Sequence, residues 1–419
     1  MTPGEADSAF ATIKAEGDAK VWCLAKEDLH DLLKTNSDLA MGMLASMARE
    51  LRGQTKALAL LTKRASPAGD KKFEGIKMMC YDSTCWVREN FKAKVLEHNK
   101  ARPRHPCNQI VVDYTSDTLS PSSVSAAVGY DVVCLFVNDS ADGEVLKSLG
   151  VFGVRMIALR CAGFDRVDVK AAQSLGLTVA RVPAYSPYAV AEHALALMMA
   201  LNRKVHRASV RTKDANFSLD GMVGFDLHGK SVCVVGCGKI GRCLCNILLG
   251  FGVKLLCVEY LGPIPELVER GATFVSLDEA WSVADVVFLQ APLLPSTTHM
   301  FNEDVLPKLK KGMALINTSR GGLVDTKALI KGLRSGIVAM AGLDVYENES
   351  GYFFRDCSSR PVQQDPILAE LLSFNNVILT GHQAFFTQEA IDAIVSTTFD
   401  NVIAWRAGAQ GKEHKNSVF

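Results

Sequence analysis

Two different hydrophobic patterns divide the chain. Near the start, Leu29, Leu32, Leu33, Leu39, Met43, Leu44, Met47 and Leu51 recur at helical spacing after a short strand-like run from Ala19 to Leu24. That periodicity predicts two amphipathic helices in residues 1–62. Residues 63–74, opening with KRASPAGDKK, are charged, carry Pro and Gly and show no apolar period, which reads as a linker. From Gly75 onward, apolar runs of four to seven residues alternate with helical stretches. This is the signature of βαβ units and parallel sheets. Strands are predicted at Ile76–Tyr81, Gln109–Val112, Val132–Val137, Met156–Leu159 and Thr178–Val182. A long helix over Pro187–Thr212 separates them from a second series, at Ser231–Val235, Lys254–Glu259, Asp285–Ala291, Met313–Asn317, Ala339–Val345 and Val377–Thr380.

A length of 419 residues exceeds what one core usually organises, so the two series imply two parallel-sheet domains. The charge balance, 46 Lys plus Arg against 45 Asp plus Glu, leaves no excess to hold a nucleic-acid backbone or an anionic membrane. No run is long and apolar enough to span a bilayer, and the first residues lack the pattern of a secretory signal, so a cytoplasmic protein is expected. Its twelve cysteines then read as free thiols rather than a disulfide framework. Cys233, Cys237, Cys243 and Cys245 lack the paired two-residue spacing of structural zinc sites, and no metal is expected there.

One of these cysteines interrupts a glycine motif. The run SVCVV leads directly into Gly236-Cys237-Gly238-Lys239-Ile240-Gly241, then a helix, then the strand KLLCVE. Strand, glycine turn, helix and strand in this order suit a dinucleotide. Gly236 permits the tight turn, Gly238 admits the pyrophosphate, and Gly241 lets the helix pack close, while the helix N-terminus donates amides to the negative charge. Glu259, eighteen residues after Gly241, ends the following strand and is placed to accept hydrogen bonds from the adenine ribose hydroxyls. Tyr260 and Leu261 follow it where an arginine would favour NADP, so NAD is the expected cofactor. The blander reading is a structural turn beside an exposed glutamate.

Seven separated motifs then converge: FVND at Phe136, ALRCAGFD from Ala158, RVPAYSPYAVAEHA from Arg181, GCGKIG from Gly236, INTSRGGLVD from Ile316, LDVYENE from Leu343 and TGHQAFFT from Thr380. From Gly75 on, the chain resembles the D-2-hydroxyacid dehydrogenase family, within it the fermentative NAD-dependent D-lactate dehydrogenases. The resemblance implies two doubly wound, Rossmann-like α/β domains. A cofactor domain, 184–383, is inserted into a discontinuous substrate domain, 75–183 plus 384–419. It also implies a catalytic Arg320, Glu349 and His382. Reduction of a 2-keto acid needs a proton donor at the carbonyl oxygen, for which His382 is placed, with Glu349 favouring its charged ring. Arg320 would orient the carboxylate and keto oxygen through a fork of donors. The amides of Ala162 and Gly163 would bind the same carboxylate. Tyr185, Phe385 and Phe136 would line the pocket, and Pro292, Thr318 and Asp344 would meet the cofactor, Asp344 as acceptor for the nicotinamide carboxamide. His193 and His206 read as helix-packing residues.

The implied substrate is pyruvate, with D-lactate as product. Glyoxylate, a bulkier keto acid or a non-catalytic NAD-sensing protein stand as alternatives, while Glu349 argues against a formate dehydrogenase. The helix bearing AVAEHALALMMALNR resembles the family's dimer contact, so a homodimer or higher homo-oligomer is expected. Residues 1–62 resemble the last strand and C-terminal helices of a cyclic-nucleotide-binding domain. Nothing before Ala19 supplies a phosphate cassette, and no cyclic nucleotide is expected to bind.

Overall fold

In the computed structural model, the residues described are 74–101, 109–358 and 365–419. The helices expected within residues 1–62, and all but the last residue of the linker 63–74, lie outside this set.

Both expected sheets form, and every strand pairing in them is parallel. The first contains β1 (Ile76–Cys80), β2 (Ile110–Tyr114), β3 (Val132–Leu135), β4 (Met156–Leu159) and β5 (Thr178–Ala180), in the order β2-β1-β3-β4-β5. The second contains β6 (Ser231–Val235), β7 (Lys254–Val258), β8 (Thr273–Phe274), β9 (Val286–Leu289), β10 (Met313–Asn317), β11 (Val338–Leu343) and β12 (Val377–Leu379). Its order is β12-β11-β10-β9-β6-β7-β8. Only the two-residue β8 lacks a counterpart in the hydrophobic pattern.

Strands buried on both faces read as continuous apolar runs. In the first sheet Met79, Val133, Ile157 and Val179 enter one core while Met78, Val132, Met156 and Ala180 enter another on the opposite face. The second sheet divides likewise, with Cys233, Val287 and Leu315 on one side and Val234, Phe288 and Ile316 on the other. The C-terminal helix Gln388–Arg406 returns to the first sheet, where Phe399, Val402 and Trp405 join Ile76 and Met78.

The predicted 187–212 helix is two helices, Pro187–Arg203 and Val205–Lys213, broken at Lys204 with φ +50°. Asn202 clips the break by hydrogen-bonding both the N–H and the C=O of Phe225, each at 2.8 Å. The first helix turns its apolar side inward, placing Ala194, Leu197, Met198 and Leu201 in the core of the second domain. That side is therefore not open for dimer contact. On the helix itself Tyr188 and Ala196 are exposed, and further exposed apolar side chains follow it at Val205, Val210, Phe217, Leu219 and Val223.

Strand order reverses between β1 and β3 in one sheet and between β6 and β9 in the other. Ligands of open α/β sheets bind beyond the carboxyl ends of strands at such points. The glycine turn follows β6, Phe136 follows β3, Arg160–Gly163 follow β4, Arg320 follows β10, Asp344 follows β11 and His382 follows β12.

Candidate active site

Five segments carry Arg160, Cys161, Ala162, Gly163, Tyr185, Arg320, Phe354, His382 and Phe385, with Phe136, Val137 and Ile394, to one cavity of about 30 Å³. A buried water needs about 10–15 Å³ of such space, so the cavity as it stands holds about two waters and must widen to admit a keto acid. A larger surface groove of about 630 Å³, between the helices Thr326–Ser335 and Pro366–Ser373, contains none of the expected site residues.

His382 hydrogen-bonds Glu349 through Nδ1, 2.9 Å from Oε1. An ionised carboxylate only accepts, so Nδ1 carries the proton and Nε2 is left for a substrate. The other Glu349 oxygen accepts from the Tyr346 amide at 3.2 Å, which fixes the carboxylate. Composition could not distinguish the two glutamates of VYENE, but geometry does. Glu347 accepts from His299 at 2.6 Å and from the Thr326 hydroxyl at 3.0 Å, away from His382.

The His382 backbone is in the left-handed region, φ +55°, which a non-glycine residue adopts only when its surroundings impose it. Asp344 imposes it. The Asp344 carbonyl accepts the His382 N–H at 2.8 Å. Its carboxylate accepts from the amides of Gln383 and Ala384, at 2.9 and 2.8 Å, and from the Thr380 hydroxyl at 2.5 Å. His193 joins this network, its Nε2 3.1 Å from the Thr380 hydroxyl and 3.5 Å from Asp344, so it does more than pack its helix. Asp344 is fully buried among these donors. The structure thus ties its carboxylate to the histidine loop, because the chain after β12 folds back over it.

Burial alone would raise the Asp344 pKa, but the hydrogen bonds from His193, Thr380, Ala384 and Gln383 outweigh it and hold the carboxyl below the usual range. A carboxyl lowered on folding contributes stability that is present above its unfolded value of about 3.9 and is lost as pH falls through the lower folded value. Asp344→Asn removes the charge from these bonds. It should cost about 1–3 kcal/mol at neutral pH and reduce kcat more than it changes the keto-acid KM. Melting temperatures measured from pH 7 down to 3 should converge with the parent protein in acid. A constant gap across that range would separate Asp344 from this effect.

Arg320 lies at the end of a tight turn in which Asn317 Nδ2 donates to the Arg320 carbonyl at 2.9 Å and Ser319 Oγ to the Ala291 carbonyl at 2.6 Å. Gly321 must be glycine, since a Cβ there would come 2.2 Å from the Tyr346 carbonyl carbon. That close crossing holds the arginine loop against the glutamate loop. The guanidinium reaches across to the first domain, where a Cβ on Gly163 would lie 2.8 Å from Nη2. Arg181 holds the Ala162 carbonyl at 2.8 Å. No acceptor among the described residues meets the Ala162 or Gly163 amide, an arrangement suited to a carboxylate.

Aromatic rings close the rest. Phe385 packs against Phe136 at 6.0 Å and Tyr185 at 6.0 Å, and Phe354 meets Phe136 at 5.2 Å and the His382 ring at 5.6 Å. Burial raises the Tyr185 phenol above its ordinary value, partly offset by Arg320, leaving it a neutral donor. Sequence reasoning missed Phe354, which lies outside the quoted motifs, and Arg160, which ends an apolar strand run. Arg160 is fully buried, donates to the Asp82 carbonyl at 2.7 Å and lies 4.7 Å over the Phe136 ring.

At the glycine motif, Gly236 has φ +93°, and Gly241 is fixed by packing, since a Cβ would come 2.0 Å from the Gly236 carbonyl oxygen. A Cβ on Gly238 meets no protein atom within 4 Å, so packing gives no reason for glycine there. Close approach of a phosphate group does, and the motif fits NAD. Lys239 is exposed and Ile240 half-buried at the start of the helix Lys239–Gly250, Ile240 touching the cores of both domains. Glu259 follows β7, its Oε2 accepting the Cys237 amide at 2.7 Å, while Tyr260 and Leu261 are exposed beside it. Pro292 is exposed after β9, and Thr318, buried after β10, accepts from Gln290 at 2.8 Å.

Known proteins resemble this chain. Residues 195–384 match the family described as D-isomer specific 2-hydroxyacid dehydrogenase, NAD binding domain. A 2-hydroxyacid dehydrogenase homolog of Haemophilus influenzae is 47% identical over 69% of this chain and 87% of its own length. The D-lactate dehydrogenase of Escherichia coli is 47% identical over 68% of this chain and 86% of its own length. A structure titled for the pyruvate reductase of Chlamydomonas reinhardtii superposes with a TM-score of 0.72 at 42% identity, covering 80% of this chain and 98% of that one. The chain therefore belongs to the D-isomer-specific 2-hydroxyacid dehydrogenases, enzymes with an NAD-binding domain.

Proposed function

We propose that the protein is a D-lactate dehydrogenase that reduces pyruvate with NADH, and that Arg320, Glu349 and His382 are its catalytic residues. The observation that carries the reading is the His382–Glu349 pair at 2.9 Å, in one cavity with Arg320 and the Ala162–Gly163 turn. NADH, when bound along the Gly236–Gly241 turn with Glu259 at its ribose, supplies the hydride for C2. The Ala162 and Gly163 amides and Tyr185 hold the substrate carboxylate. Arg320 draws charge onto the keto oxygen, and His382 Nε2 delivers the proton that makes it a hydroxyl.

The aromatic wall of Phe136, Phe354 and Phe385 favours a small side chain, and the relatives named D-lactate dehydrogenase and pyruvate reductase favour pyruvate over a bulkier acid. The discriminating experiment is NADH oxidation across pyruvate, glyoxylate, 2-ketobutyrate, phenylpyruvate and hydroxypyruvate, with chiral analysis of the product. L-lactate, or a higher kcat/KM for phenylpyruvate than for pyruvate, would overturn it.

Glu259 sets a second expectation. Its carboxylate stands where NADP carries a phosphate dianion, and no arginine compensates at Tyr260 or Leu261. NADH should exceed NADPH in kcat/KM by at least about tenfold, a single like-charge contact of roughly 1.4 kcal/mol. Equal use of the two cofactors removes that role from Glu259.

The domain boundaries near 183 and 384 form the hinge in this reading. Among the described residues no helix is long and apolar enough to cross a membrane. The exposed apolar side chains from Val205 to Val223 are the surface through which a homo-oligomer would assemble, and light scattering of the purified protein reports its size.

A further inference from the structure

Three cysteines converge beneath the nucleotide turn. Cys237 comes from the turn itself, Cys245 from the second turn of the helix Lys239–Gly250, and Cys257 from β7. All three are buried on the same face of the second sheet, their sulfurs lie within 4.8 Å of one another, and Cys245 and Cys257 are 3.8 Å apart. Sequence spacing pointed elsewhere. Cys233 faces the opposite core, Cys243 points out of the cluster, and Cys257, twelve residues beyond Cys245, completes it. Small apolar packing accounts for one buried cysteine. It does not account for three from separate elements meeting at one point.

A metal about 2.3 Å from each of three sulfurs in a plane places those sulfurs about 4.0 Å apart, within a sub-ångström adjustment of the spacing found. The donors are all soft, and among the described residues no further Cys, His, Asp or Glu joins the cluster. Zinc prefers four ligands in a structural site, whereas sulfur-only donors of this kind select copper(I). We propose that Cys237, Cys245 and Cys257 form a buried three-coordinate site for copper(I). Binding forms three Cu–S bonds, releases the thiol protons to solvent and involves no change of oxidation state. Because the Cys237 amide also holds Glu259, and Cys257 lies two residues before it, the metal would tie the turn, the helix and the ribose carboxylate into one unit.

The test is anaerobic titration of the full chain with a copper(I) chelate under competition. One tight equivalent is expected, with a rise in melting temperature on loading. Cys245→Ala and Cys257→Val should each weaken that equivalent at least about 100-fold, while Cys233→Ala, on the other face, should retain it. X-ray absorption of the singly loaded wild type should show three sulfur neighbours and no lighter ligand, a readout that does not depend on the variants folding. Two sulfurs, a nitrogen or oxygen in the coordination sphere, unchanged affinity in Cys245→Ala and Cys257→Val, or displacement of copper by equimolar zinc would each overturn the site.

Discussion

His382→Ala should lower kcat/KM for pyruvate reduction by roughly 10² to 10⁴ while leaving NADH affinity within about twofold. The separation follows from position. His382 is on the loop after β12, whereas the glycine turn follows β6, and no hydrogen bond joins them among the described residues. Alanine also relieves a left-handed histidine backbone only slightly, because the Asp344 carbonyl still accepts the amide of residue 382. The fold should persist, and the loss is then chemical. Glu349→Gln refines the assignment. It keeps a hydrogen-bonding group of the same size at 2.9 Å but withdraws the charge that supports an imidazolium. Reduction should slow. The measurements are kcat/KM for the three proteins and NADH binding by fluorescence. Full activity in His382→Ala, or an undiminished rate in Glu349→Gln, would place the proton donor elsewhere.

The parallel sheets were legible because strands covered on both faces must be apolar throughout, so β4 and β10 appear in the sequence at their observed bounds. The strands β1, β3, β5, β7, β9, β11 and β12 end one or two residues before their apolar runs, whereas β2 continues two residues past Val112, to Tyr114. Tyr81, Phe136, Val182 and Glu259 continue a hydrophobic or extended pattern, yet the backbone there has already left the ladder for the ligand-facing crevice. The break at Lys204 had no local signal, since its cause is a clip between Asn202 and Phe225, residues that only the tertiary fold brings together.

The site was legible through its motifs and not through residue type. A glycine motif states its own steric reason, which the short Cβ distances at Gly236 and Gly241 bear out. No such reasoning separates Glu349 from Glu347, or identifies the buried Arg160 as a pocket residue. Asp344 shows the opposite difficulty. Its place after a strand fits a ligand-binding acceptor, but its partners are amides some forty residues later, a relation that the motif cannot express.

Arg320 gives the second large effect, and its alternatives can be told apart. A structural role would rest on Asp165, but that pair is 4.0 Å apart with the Asp165 side chain 68% exposed, a geometry worth at most about 1 kcal/mol. A catalytic role rests on the cavity, where the guanidinium lies beside His382 and the Gly163 turn. Losing one preorganised donor to a developing oxyanion costs about 10² to 10³ in kcat. Arg320→Leu should lose at least that much kcat/KM, with a raised pyruvate KM because the carboxylate loses its fork as well. Arg320→Lys should recover only a small part, since a point charge cannot present two parallel donors. Asp165→Asn should stay within about threefold of the parent enzyme. Gly163→Ala probes the same contact from the other domain, because its Cβ would displace Nη2 from 2.8 Å, and it should raise KM more than it lowers kcat. Steady-state kinetics of these four variants, with melting temperatures to confirm folding, decide between the roles. If Arg320→Leu and Asp165→Asn show the same modest deficit, the arginine is a surface ion-pair partner and the oxyanion must be held by other groups.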